Sequence, residues 1–85
     1  MYEVIFDPEA IDTLNKLQKP EKERIYNKII SAKGNPFHFF ERLSGRSDYK
    51  LRVGDYRVIA DIDAHKKLIQ VTVVGHRRNV YMNPN

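Results

Sequence analysis

The chain contains no cysteine, which excludes disulfide staples and thiolate metal sites. No apolar run approaches the roughly 18 residues that a membrane-crossing helix needs, and there is no charged-then-apolar leader. These absences predict a soluble protein of the cytoplasm. Metal binding is not expected, because His38, His65 and His76 lie far apart and the acidic residues form no ligand pattern. A Walker motif, a dinucleotide fingerprint and a serine-nucleophile motif are all missing. No internal repeat, low-complexity tract or linker divides the 85 residues, so a single domain over 1–85 is expected. A chain this short buries only about 60–65% of the surface its unfolded form exposes, which predicts modest stability.

What is present is charge, and it is unevenly placed. Residues 1–40 carry six acidic and six basic side chains. Residues 41–85 carry five acidic and nine basic ones, so the whole excess of +4 lies there. That asymmetry aims the second half of the chain at a polyanion or an acidic protein.

Periodicity sets the elements. Tyr2–Phe6 alternates as a strand does. Asp7-Pro8-Glu9 then starts a helix, with Asp as N-cap, Pro at the first position and Glu in the first turn. Ala10, Leu14 and Leu17, with Ile11 beside them, give it one apolar stripe. Lys19-Pro20-Glu21 breaks that helix and opens a second, whose stripe is Ile25, Ile29 and Ala32 and which ends at Gly34-Asn35-Pro36. Phe37-His-Phe-Phe40 reads as irregular, its phenylalanines plugging the core beneath a loop. Strands follow near 49–53, 55–63 and 67–75, the last two joined by a turn at Asp63–Lys66. The order is β-α-α-β-β-β: an α+β fold with a two-helix hairpin on one face of a mainly antiparallel four-stranded sheet.

Gly54-Asp55 forms a two-residue loop of the Gly-X kind, suited to a type II′ hairpin turn. Such a loop fixes the register, setting Val53 opposite Tyr56 and Arg52 opposite Arg57. Two arginines directly opposite on one face repel each other. A chain that keeps them there is built to hold an anion between them.

Alternation sorts the remaining side chains. Tyr49, Leu51, Val53, Tyr56, Val58, Ala60, Ile62, Ile69, Val71 and Val73 share the face that the helices cover. Lys50, Arg52, Arg57, Asp61, Gln70 and Thr72 share the other, edged by Ile59 and Val74. Strict alternation puts His76 on this cationic face and Arg77 in the core. Burying an unpaired arginine is very costly. Either a bulge at Gly75 shifts the phase, or the chain has left the sheet by Arg77. Both free Arg77 to turn toward Arg57. Tyr81 then either closes the site or pins the tail to the domain.

Leu43-Ser-Gly45, Tyr49–Val58, and Val74-Gly-His-Arg77 with Tyr81 resemble the RelE/ParE superfamily of type II toxin–antitoxin toxins. The two charged helices and the first strand add weaker support, so the likeness covers most of the chain. It is closer to the RelE branch, which implies a RelE-like fold and a ribosome-dependent endoribonuclease that cuts mRNA in the ribosomal A site. The reaction so implied needs neither metal nor cofactor. The RNA 2′-hydroxyl attacks the adjacent phosphorus, leaving a 2′,3′-cyclic phosphate and a 5′-hydroxyl. Lys50, Arg57, Arg77 and Tyr81 match functional positions of that branch, and Arg52 matches a neighbouring basic one.

The chemistry assigns roles to these residues. Arg52 and Arg57 can fork onto phosphate oxygens and neutralise the charge that grows in the transition state. Lys50 stands beside Arg52, and neighbouring cations favour the neutral amine, the form in which lysine acts as a base. Arg77 can stabilise the leaving oxygen but is a poor acid. His76 titrates in the useful range, and Tyr81 offers a proton or a stacking ring. The acid and the base remain open among Lys50, His76, Arg77 and Tyr81. Arg46 and Arg78 join Lys50 and Arg52 as RNA-binding candidates.

Two positions depart from the branch. Asp48 stands where a further lysine is often found, and His76 where lysine is common. The resemblance also implies a RelB-like antitoxin, which the basic face predicts to be acidic, with apolar contacts over the helical hairpin and the sheet edge. The competing readings are a ParE-like inhibitor that binds DNA gyrase without nuclease chemistry, and a degenerate member that only binds its antitoxin. Arg57, Arg77 and Tyr81 together favour the RelE reading, and Asp48 keeps the degenerate one open.

Overall fold

A computed structural model describes residues 1–78; Tyr81 lies outside them. Strand β1 (Glu3–Phe6) leads through Asp7 into helix α1 (Pro8–Lys16), and α2 (Lys19–Ser31) follows after two residues. Both helices start with a proline in the first turn, where its missing N–H costs nothing. Asp7 takes the N-cap position, yet its carboxylate makes no capping bond. It accepts instead from the Gln70 side chain at 2.8 Å.

Residues 36–40 are more ordered than the sequence predicts. Pro36–Phe39 makes a single helical turn, α3. Phe40 is buried in the core and Phe39 half-buried, but Phe37 remains 46% exposed, so the core-plug reading fails for it. Phe37 packs edge-on against Tyr49 with ring centres 5.5 Å apart. A two-residue strand, β2 (Glu41–Arg42), comes next, then β3 (Tyr49–Val53), β4 (Tyr56–Asp63) and β5 (Leu68–His76).

Among the described residues the sheet therefore has five strands rather than four, in the order β1-β5-β4-β3-β2. Only β1 and β5 run parallel. Helices cover one face, and Leu14, Ile25 and Ile29 meet Leu51, Val58, Ile69 and Val71 in the core. Burying each of these side chains contributes about 1.5–3 kcal/mol, so this layer supplies most of the driving force.

The Gly54 hairpin takes the expected form. Gly54 has φ +59°, and Lys67 is the one non-glycine residue with positive φ among those described, so Asp55 stays negative as type II′ requires. Val53 faces Tyr56 and Arg52 faces Arg57. The next turn spans four residues, Ala64–Lys67, and Asp63 Oδ1 accepts from the backbone N–H groups of His65 and Lys66 at 2.9 and 3.0 Å.

One bulge re-phases β5. Ile59 pairs with Val73 and Ala60 with Val71, so Thr72 is the extra residue. Its hydroxyl donates to the Ile59 carbonyl at 3.2 Å, which holds the irregularity. Beyond that point the alternation inverts. Val74 enters the core and Val73 is 40% exposed, the reverse of the sequence expectation. The phase shift does exist, but it falls three residues before Gly75.

Candidate nucleic-acid interface

The uncovered face carries the cations, and β3 and β4 set their spacing. Arg52 is exposed and Arg57 half-buried, directly opposite one another. The Arg57 Nε is buried and has no hydrogen-bond partner among the described residues. A buried guanidinium N–H without an acceptor costs about 1–3 kcal/mol, and an anion on this face would meet the accessible part of the half-buried side chain rather than Nε itself. Lys50 stands on the same side with its side chain 24% exposed, and Glu41 of β2 lies 3.8 Å from its ammonium. Lys50 thus has a carboxylate as a near neighbour besides Arg52, a contact that depends on a strand the sequence did not reveal.

The inverted phase of β5 decides the positions of Arg77 and His76. Gly75 lies opposite Arg57, so the residue directly across on β5 contributes no side chain there. The Arg77 N–H donates to the Asp55 carbonyl at 2.8 Å, continuing the ladder one residue past the strand. Alternation then returns Arg77 to the face of Arg52 and Arg57, and its side chain is exposed. His76 goes the other way, which corrects its assignment to the cationic face. It pairs with Tyr56, the rings meeting edge-on at 5.5 Å, and its Nδ1 accepts from the Arg78 N–H at 3.2 Å. Arg78 is exposed next to it.

Residues 43–48 fold over the far end of this face. Leu43 covers Ile59 in a small satellite cluster. Arg46 donates to Asp48 Oδ2 at 2.7 Å, and the Arg46 carbonyl accepts from Arg42 Nε. Asp48 is thus paired through Oδ2 with its side chain only 16% exposed, while its Oδ1 is buried without a hydrogen-bond partner among the described residues. Arg46 is partly occupied by this pair, which reduces what it can offer to an external anion.

A second feature went unseen in the sequence. A cleft of about 610 Å³ opens beside β3, where Lys28, His38, Phe39 and Glu41 converge on Lys50 and Arg52. Lys28 is contributed by α2, and Arg24 one turn earlier rests against the Gly54 turn. A β-carbon added at Gly54 would sit 2.5 Å from an Arg24 guanidinium nitrogen. The i, i+4 spacing of Arg24 and Lys28 was the available signal. It reads as an ordinary solvated helix face until β3 is set beside it.

The family model for the ParE toxin of type II toxin-antitoxin system, parDE, matches residues 4–81. The chain belongs to this toxin family. Its fold is that of RelE toxins in solved structures. The isolated Escherichia coli RelE toxin is 25% identical with a TM-score of 0.79, over 95% of this chain and 92% of that one. The toxin–antitoxin complex RelBE2 from Mycobacterium tuberculosis gives 0.79 at 23% identity, over 89% and 98%. The archaeal RelE–RelB complex from Pyrococcus horikoshii gives 0.78 at 24%, over 93% and 98%. No curated protein matches the sequence. This family member is thus the toxin of a type II toxin–antitoxin system with an α+β RelE fold. None of its helices among the described residues is long and apolar enough to cross a membrane.

Proposed function

We propose that this toxin is a ribosome-dependent endoribonuclease that cleaves mRNA in the A site without a metal, and that its work is done in the cytoplasm, where its mRNA and ribosomes lie. The observation that carries the reading is the Arg52–Arg57 pair, two guanidinium groups set directly opposite one another on the uncovered face. Like charges held opposite one another at a cost to stability are explained by a phosphate that joins them. In the reaction the 2′-hydroxyl loses its proton to a base as its oxygen bonds to phosphorus. The bond to the 5′-oxygen breaks, and that oxygen takes up a proton. Arg52 and Arg57 neutralise the equatorial oxygens, and Arg77, brought to the same face by the Thr72 bulge, supports the leaving oxygen. Lys50 is the base candidate on this face. His76 now stands at the rim by Tyr56, and any role it has in proton transfer is reached from that side. Tyr81 is retained as an acid or stacking candidate.

The partner is a RelB-like antitoxin, as the matched toxin–antitoxin complexes favour, and the excess of basic side chains favours its being acidic. The ParE family match supports a second reading, a gyrase inhibitor acting by binding alone. One experiment separates the two. Partner-free protein is added to programmed ribosomes, cuts are mapped by primer extension, and Arg57→Ala runs in parallel. A-site cuts that require ribosomes and fall about 10²–10³-fold in the variant support the nuclease. A folded protein that cuts nothing sinks that reading, and a gyrase supercoiling assay then tests the other.

A further inference from the structure

The chain turns directly after β5, and two hydrogen bonds hold that turn on either side of one residue. The Arg77 N–H donates to the Asp55 carbonyl at 2.8 Å, and the Arg78 N–H donates to His76 Nδ1 at 3.2 Å. Each peptide unit is planar, so only φ and ψ separate the two units that flank the Arg77 α-carbon. Tying both N–H groups to held acceptors therefore sets those two dihedrals. With them it sets the direction in which the Arg77 side chain leaves the backbone. That side chain is exposed, so packing does little to aim it.

Both acceptors are themselves held. Asp55 belongs to the Gly54 hairpin, whose register sets Arg57 opposite Arg52. His76 pairs with Tyr56 across the strands, and their rings meet edge-on at 75° with centres 5.5 Å apart. Tyr56 in turn packs against the core. A side-chain acceptor for the N–H two residues on is what asparagine or aspartate supplies in an Asx turn. Here an imidazole supplies it, and the contact also places the ring's proton. An Nδ1 that accepts carries no hydrogen, so the ring is neutral with its proton on Nε2. In that form Nδ1 cannot act as a base without releasing the turn.

We infer that His76 is a positioning residue, whose imidazole ties the turn after β5 and so aims Arg77 at the phosphate between Arg52 and Arg57. The inference rests on the nuclease reading and deepens it, moving His76 out of the acid and base candidates and into the orientation of a cation.

Two variants separate the ring, the acceptor and the proton. His76→Asn loses the ring but keeps an acceptor on the γ-carbon. His76→Phe keeps a ring against Tyr56 and loses the acceptor. In the ribosome assay His76→Asn is expected to stay within about threefold of the wild type, the scale of one altered hydrogen bond. His76→Phe is expected to fall about 10²-fold, as a misdirected group does, and to lower cleavage no further in an Arg77→Ala background. Hydrogen exchange at the Arg78 amide of the ¹⁵N-labelled chain should be slow in the wild type and His76→Asn, and fast in His76→Phe.

Loss of cleavage in His76→Asn with the Arg78 amide still protected would assign His76 to proton transfer and overturn the inference. So would a His76→Phe protein that cuts like the wild type, or an Arg78 amide that exchanges equally fast in all three. A wild type that cuts nothing removes the nuclease reading instead. Oligodeoxythymidylate, which has no 2′-hydroxyl to react, is then titrated against the Arg77 Nε–H signal. Binding that His76→Phe weakens and His76→Asn preserves upholds the inference, and equal binding by all three proteins overturns it.

Discussion

Arg57 is the residue at which stability and the proposed activity pull apart. It faces Arg52, and its Nε is buried without a partner among the described residues. Removing one charge relieves cross-strand repulsion, an effect of about 0.2–1 kcal/mol. Arg57→Gln is therefore expected to melt higher than the wild type by calorimetry while losing cleavage. A variant that melts lower would show that the guanidinium is held by contacts that outweigh the repulsion. Asp48 works the other way. Its carboxylate is mostly buried and held by Arg46, whose own side chain is 41% exposed. Arg46→Ala leaves Asp48 unpaired. After allowance for solvent screening of so exposed an arginine, a loss of about 1 kcal/mol or less is expected in urea titration. The Arg52–Arg57 pairing was legible because a two-residue loop fixes the register. The fate of Asp48 was not, because its partner is set by how residues 43–48 fold over Ile59.

Among the elements, the Gly54 hairpin and the Thr72 bulge carry the site. Gly54 needs positive φ and has Arg24 pressed against it. Gly54→Ala should cost about 1–2 kcal/mol from the backbone alone, and Arg24→Ala added to it should recover little. Full recovery in the double variant would place the cost in the contact instead. At the bulge, Thr72→Val removes the hydroxyl donated to Ile59 and should cost about 0.5–1.5 kcal/mol in denaturant titration. The strands and both helices were readable from period and caps. The bulge was not, since Val71, Val73 and Val74 are all apolar and either phase satisfies the pattern. The same ambiguity misplaced His76. Short α3 and β2 escaped because four and two residues carry no period.

At the scale of the molecule, charge governs pH and salt behaviour. The Lys66 backbone N–H, with that of His65, holds the exposed Asp63 carboxyl below its ordinary 3.8. A depressed folded-state value means stabilisation that is present above the unfolded value and lost as pH falls through the folded one. Wild type should therefore lose stability relative to Asp63→Asn as pH drops below about 4, measured by thermal melts in matched buffers. A difference that stays flat across that range would mean the turn does not depend on the carboxylate's charge.

The strand order has a temporal consequence. β5 is the latest described strand to leave the ribosome, yet it stands between β1 and β4 and joins one half of the sheet to the other. Until it is made, β1 has no partner and the β3–β4 hairpin has no neighbour on that side. A nascent or prematurely ended chain accordingly lacks the centre of its sheet, and Arg77 with it. Assembly of the cationic face therefore waits on β5 and Arg77, an order of events set by topology.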